Sequence, residues 1–144
     1  MTKNVLEVIR KKMNDLQNYI ALLKSVSSEI TEKNIGQDPL KYWGLERGLH
    51  ISIECIIDIA NIIISSADLG KPETYRESIQ KLGEFGIIPP EFAKKLARMV
   101  AFRNILVHDY SKIDDNVIVS ILRNDLDDFI EFIKYVNVWL EGNL

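Results

Sequence analysis

The sequence predicts an all-α protein, an up-and-down bundle of four long helices and one short one. Three observations predict it. Apolar residues recur at steps of three and four over long stretches, the pattern of helices with one buried face. No stretch alternates apolar and polar residues as a half-buried strand does. Glycine and proline punctuate the places between the periodic stretches.

The first segment, from about Asn4 to Ile30, carries Ile9, Met13, Leu16, Ile20, Leu23 and Ile30 on one stripe. Gly36, Asp38 and Pro39 break it. The second runs from about Leu40 to Ala67. Its β-branched run from Ile56 to Ile64 has strand-like composition, but its length and lack of alternation predict helix. Gly70 and Pro72 end it. The third, about Glu73 to Phe85, has Thr74 as candidate N-cap and Gly86 as candidate stop. The fourth opens at Pro89-Pro90, where a proline in the first turn loses no needed N–H, and carries Phe92, Leu96, Met99, Val100 and Leu106. The fifth begins at Asp114 or Asp115, either able to cap it. It runs to about Leu140 with Ile118, Leu122, Leu126, Phe129, Ile133, Val136 and Leu140 on one face. With no repeat and no interior linker, the 144 residues predict a single domain, 1–144.

The net charge of −3 argues against a general nucleic-acid coat, though not against a local basic cleft. The lone Cys55 cannot form an intrachain disulfide and sits among isoleucines as core filler. A disulfide-free chain fits the cytoplasm. The N-terminus has no signal-peptide pattern. The most apolar run, Ile51 to Ala67, is interrupted by Glu54, Asp58 and Asn61 and falls short of an uninterrupted membrane span.

Two polar features stand out from this scaffold. On the second segment Arg47, His50, Glu54, Asp58 and Asn61 follow steps of three, four, four and three, one stripe on an otherwise apolar helix. The stripe is either a plain solvent face or the sign of a helix that is central or meets a second subunit. On the fourth segment Arg103 falls on the apolar stripe of Phe92, Leu96 and Val100. A buried arginine needs a partner, and Glu54 and Asp58 are the natural candidates. Arg103, Asn104, His108, Asp109 and Tyr110 concentrate polar chemistry within eight residues. Five residues advance a helix by about 140°, so Arg103 and His108 meet only if their side chains converge at the rim or a second subunit contributes. Taken singly, each has a bland reading: a structural ion pair, a structural histidine, a half-buried tyrosine.

The run RNILVHDY, Arg103 to Tyr110, resembles the signature of HepT-type proteins of the HEPN superfamily: Arg, four residues, His, one residue, Tyr. Asn104 matches the superfamily's preference for a polar residue after the arginine. The stretch LERGLHISIECIIDIAN, with Glu54 and Asp58, is similar to the family's second helix. The stretch LGEFGIIPPEFAKKLARMVAFRNILVHDYSKID is similar to its loop and fourth helix.

The resemblance implies a HEPN-like helical homodimer and a metal-independent endoribonuclease that uses the RNA 2′-hydroxyl, with no cofactor. It implies the toxin of a toxin–antitoxin pair, acting on RNA, with tRNA among the candidate targets. Its partner would be MntA, a minimal nucleotidyltransferase that silences it by attaching AMP to Tyr110. The residues suit that chemistry. His108 can move a proton, and Arg103 can grip two phosphoryl oxygens. Asn104 and Asp109 would support them, and Glu54 and Asp58 would hold Arg103. The two carboxylates are not read as metal ligands. An alternative is a non-catalytic module whose cleft binds a nucleotide or docks the nucleotidyltransferase, which the acidic balance favours. A purely structural helical dimer would leave Arg103 with nothing beyond a salt bridge.

Overall fold

Local chemistry at the chain's turns sets where each helix begins. The computed structural model describes residues 1–108 and 113–144. Its helices are α1 (Lys3–Ser27), α2 (Pro39–Ser66), α3 (Tyr75–Glu84), α4 (Pro90–His108), α5 (Asp115–Ser120) and α6 (Leu126–Gly142). A π-helical turn, Ile121–Asp125, joins α5 to α6. There is no strand among the described residues.

Four of the starts carry a side-chain cap. Thr2 caps α1, its side chain accepting from Val5 N at 3.2 Å. Asp38 caps α2, with Pro39 in the first turn. Thr74 caps α3 through Glu77 N at 3.1 Å, while the Glu77 carboxylate accepts from Glu73 N at 2.7 Å. Asp114, rather than Asp115, caps the last helical run. These contacts satisfy amide donors that have no partner within the helix. At the far end of α1 the helix stops earlier than its stripe suggests. Asn34 accepts from Thr31 N at 2.8 Å and donates to Glu29 O at 2.6 Å. This polar turn replaces the helical ladder, yet Ile30 still reaches the core.

The predicted fifth helix is present as a continuous helical run, but its ladder widens at 121–125. Ile118, Leu122 and Leu126 step by four twice, which in a regular helix carries the stripe about 80° around the axis. The π turn takes up that excess, and Ile121, Leu122 and Leu126 are all buried. Sequence periodicity alone does not show which residue is absorbed.

The central helix is α2, which packs on α1, α3, α4 and α6. By length and composition it could cross a membrane, but half of its most apolar stretch is buried in this bundle. Ile53, Ile56, Ile59, Ala60 and Ile63 are wholly enclosed. The hydrophobic cluster they belong to also takes Ile9 and Leu16 from α1, Leu82 from α3, Val100 from α4, and Phe129 and Phe132 from α6. Ser52, buried beside them, donates back to Gly48 O at 2.7 Å.

That central position resolves the polar stripe. Asn61 accepts from the buried Ser78 of α3 at 2.7 Å, and Asp58 pairs with Lys12 of α1 at 3.2 Å. The stripe bridges to neighbouring helices rather than simply facing water. Cys55 lies half-buried, and burial lifts its thiol pKa to about 11, as suits core filler.

Helices α3 and α4 approach closely at Gly83. A Cβ on Gly83 would stand 2.7 Å from the Ala93 Cβ, whereas one on Gly44 meets nothing within 4 Å. Gly83→Ala is therefore expected to destabilise the fold by about 1–3 kcal/mol. Gly44→Ala, in a helix interior with open space, should stabilise it by about 0.5–1 kcal/mol. Urea denaturation followed by helical circular dichroism checks both signs.

Candidate active site at the end of the fourth helix

The site begins with Arg103, which the apolar pattern of α4 turns toward α2. Leu96 and Val100 on the same face are fully buried. The arginine side chain follows them inward and is only 15% exposed. Its charge is met at once. Nε donates to Glu54 Oε1 at 2.6 Å, and the guanidinium carbon sits 4.9 Å from the Tyr75 ring centroid, over the ring face. Glu54 is therefore the partner that the apolar position of Arg103 demands. Asp58 is not: one turn further along α2, it is paired with Lys12, which corrects its expected role in holding Arg103.

Glu54 is shared. The same Oε1 lies 3.1 Å from His50 Nε2, and His50 Nδ1 lies 3.0 Å from Arg47 Nη1. An arginine can only donate, so Nδ1 accepts and Nε2 carries the hydrogen that points at Glu54. The result is a chain of contacts from Arg47 through His50 and Glu54 to Arg103. Burial pushes the Glu54 carboxyl pKa up, but the hydrogen bonds from Arg103 and His50, with the Arg103 charge, outweigh it and hold it below the ordinary carboxylate value.

The other end of the guanidinium faces the rim. Arg103 Nη1 is 3.4 Å from Asn104 Oδ1 and 3.5 Å from His108 Nε2. Both are at the long limit for a hydrogen bond, so these are approaches rather than locks, and an incoming oxygen can compete for the same N–H. Arg103 and His108 thus converge within one protomer despite the wide angle between their positions, because the arginine is long enough to reach across. Asn104 and His108 are exposed. Asp109 and Tyr110 lie outside the described residues.

Beside the pair, between α2 and the last turn of α4, lies an open groove of about 350 Å³. Arg47 and His50 belong both to its wall and to the chain of contacts that fixes Arg103. Where the described chain resumes, Tyr42 donates to Asp115 at 2.8 Å and ties α2 to the start of α5. Burial and then that bond raise the Tyr42 pKa.

Sequence reasoning did not assign site roles to His50 and Tyr75. His50 was legible as a stripe member three residues from Arg47 and four from Glu54. Tyr75 had no such signal, since it comes from another helix.

Chemically, the described residues of the cluster offer a cation fixed on one side and met by long contacts alone on the other, next to an exposed imidazole. Such a pair can hold a phosphoryl oxygen and move a proton at the same phosphodiester.

Comparisons with known proteins point to one family. The family model "Ribonuclease HepT-like" matches residues 5–136. The chain is 36% identical over 83 residues to the mRNA nuclease HepT of Shewanella oneidensis, covering 58% of this chain and 62% of that one. It is 34% identical over 95 residues to the tRNA nuclease HepT of Aphanizomenon flos-aquae, covering 66% and 65% respectively. The matched stretch is thus less than two thirds of either relative. Among solved structures, it resembles the tri-AMPylated HEPN toxin of Shewanella oneidensis in complex with its MNT antitoxin. That match has a TM-score of 0.82 and 28% identity, over 96% of this chain and 99% of that one.

Glu54→Gln should remove about 1–3 kcal/mol of stability at neutral pH, because it weakens the partner of a mostly buried guanidinium. The carboxyl's pKa is depressed in the folded state. Its contribution is therefore present above the ordinary value of 4.5 and is lost as pH falls through the folded value. Urea midpoints should show the gap between wild type and variant closing as the pH is lowered from neutral to about 3.

Proposed function

We propose that this chain, which belongs to the ribonuclease HepT-like family, is the RNA-cleaving toxin of a toxin–antitoxin pair, silenced when a nucleotidyltransferase antitoxin attaches AMP to Tyr110. One observation carries the nuclease half: Arg103, held by Glu54 on one side, presents Nη1 within 3.5 Å of His108 Nε2 at the exposed rim.

The reaction needs little else. The Arg103 guanidinium takes a non-bridging oxygen of the scissile phosphate and stabilises the charge that builds there. His108 accepts the proton of the neighbouring 2′-hydroxyl. The 2′ oxygen bonds to phosphorus and the bond from phosphorus to the 5′ oxygen breaks. The products are a 2′,3′-cyclic phosphate and, after protonation, a free 5′-hydroxyl. The RNA supplies its own nucleophile, so no step calls for a metal or cofactor. Asn104 can turn the phosphate or the imidazole. The name of the Aphanizomenon relative supports tRNA as a target and that of the Shewanella relative mRNA.

The regulatory half rests on sequence spacing and on the Shewanella toxin, which is tri-AMPylated and bound to its antitoxin. AMP on Tyr110 would bring bulk and negative charge two residues from His108, and it would repel an RNA phosphate. The family resemblance supports a homodimer as the working unit, placing two copies of the cluster across a cleft. The cytosol is the proposed place of action.

Arg103→Ala and His108→Ala are each expected to lower RNA cleavage in chelator by roughly 100-fold or more, with helical circular dichroism unchanged. Full cleavage by either folded variant would sink the assignment and favour a docking or nucleotide-binding role. The intact mass of protein made with its nucleotidyltransferase partner should rise by multiples of one AMP. That rise should vanish in Tyr110→Phe; its persistence there would place the modification elsewhere.

A further inference from the structure

The groove beside the Arg103–His108 pair has a composition that the cleavage chemistry does not require. Its wall is Trp43, Glu46, Arg47 and His50 from α2, with Leu106 and Val107 from α4. The indole of Trp43 is 62% exposed, although so large an apolar ring gains much by burial. On α2, Trp43, Arg47, His50 and Glu54 follow steps of four, three and four, so they lie along one face. Leu106 and Val107 belong to the same turn of α4 that ends in His108.

We propose that this groove holds the nucleotide flanking the scissile phosphate in single-stranded RNA, with its base stacked on Trp43 and its phosphate against Arg47. The proposal rests on the nuclease reading of the neighbouring pair. Four features of the groove argue for it. The exposed indole is a stacking face, and stacking on aromatic rings is how unpaired bases are held. Arg47 stands one turn from Trp43, about 6 Å along the helix axis, and among the described residues its one hydrogen bond, to His50, engages one of five N–H donors. Through His50 and Glu54 it is fixed to Arg103. A phosphate on Arg47 is thereby held in register with a phosphate on Arg103. Leu106 and Val107 give the base an apolar floor.

Glu46 sets the orientation. A carboxyl at this end repels a phosphate and accepts from an exocyclic amine. The base therefore belongs at the Trp43–Glu46 end and the phosphate at the Arg47–His50 end. A duplex cannot use the site, because its bases are already stacked on one another.

The test uses the full chain. In His108→Ala, which holds RNA without cutting it, Trp139→Phe leaves Trp43 as the one indole. Its fluorescence should be quenched by a short single-stranded RNA and not by the same sequence in duplex. In otherwise wild-type protein, Trp43→Ala should raise KM for single-stranded RNA roughly 10- to 100-fold, with kcat little changed. Trp43→Phe should restore most of the loss. Arg47→Gln should lessen the salt dependence of binding by about one phosphate contact.

Unchanged KM in Trp43→Ala, with no quench, overturns the groove and leaves the nuclease intact. A fall in native mass from dimer to monomer in Trp43→Ala also overturns it, by showing that a second copy covers the indole. Quenching in His108→Ala together with a wild-type protein that cuts no RNA would instead sink the nuclease reading while the groove stands.

Discussion

The Glu54–Arg103 pair is the interaction on which the rest of the site depends. It joins the middle of the central helix α2 to the last turns of α4 at 2.6 Å. An arginine on the apolar face of α4 would otherwise be a heavy liability, since an uncompensated buried charge costs several kcal/mol. With Glu54 in place, and the Tyr75 ring beneath it, the liability becomes a device. The guanidinium is held from its inner side, and among the described residues only long contacts compete for its outer nitrogen at the rim. A surface arginine could reach a phosphate as well, but it would have to be immobilised each time. The pairing with Glu54 arranges this beforehand.

The same logic runs along the polar stripe of α2. Each member is taken up by a different neighbour: Asp58 by α1, Asn61 by α3, Glu54 by α4, while Arg47 and His50 reach the groove. A helix packed on four others has no broad solvent face, so its polar residues must find partners or line a cavity. The stripe therefore links the bundle and the site in one structure. Disturbing the site's carboxylate should be felt in the stability of the fold, and disturbing the packing of α2 should be felt in the position of Arg103.

Much of this was legible in the residues. Helix starts at Thr74, Asp38 and Pro90 follow from capping and proline chemistry, which act over three or four residues. The demand for a carboxylate beside Arg103 was legible too, because an arginine on the stripe of Leu96 and Val100 admits few other outcomes. The choice between Glu54 and Asp58 was not. They lie one turn apart on the same face, and only the height at which α4 crosses α2 decides between them. Nor could periodicity show that Asp58 would find Lys12, or that Tyr75 would come under the guanidinium from α3. These are relations between helices, set by packing. The π turn at Ile121–Asp125 was hidden for the opposite reason: the buried stripe stays unbroken there because the backbone, rather than the sequence, makes the adjustment. The convergence of Arg103 and His108 stood between one protomer and two until side-chain reach was known.

On the proposed nuclease reading, the net charge of −3 has a consequence for how such a site would hold RNA. A protein that coats nucleic acid gains most of its affinity by releasing counterions from many phosphates. Among the described residues the cationic side chains that bear on the site are Arg103 and Arg47, and Glu54 already draws on the first. Few phosphates can be neutralised at once. The affinity that is missing from charge must come from contacts indifferent to salt: a base on an indole, an apolar floor, a hydrogen bond to a base edge. A nuclease built this way binds weakly to duplex or structured RNA, whose bases are hidden, and better to an exposed loop or unpaired run. An acidic chain is thus no obstacle to RNA cleavage. It moves selectivity from the backbone to the unstacked base, and so favours the kind of RNA that shows one.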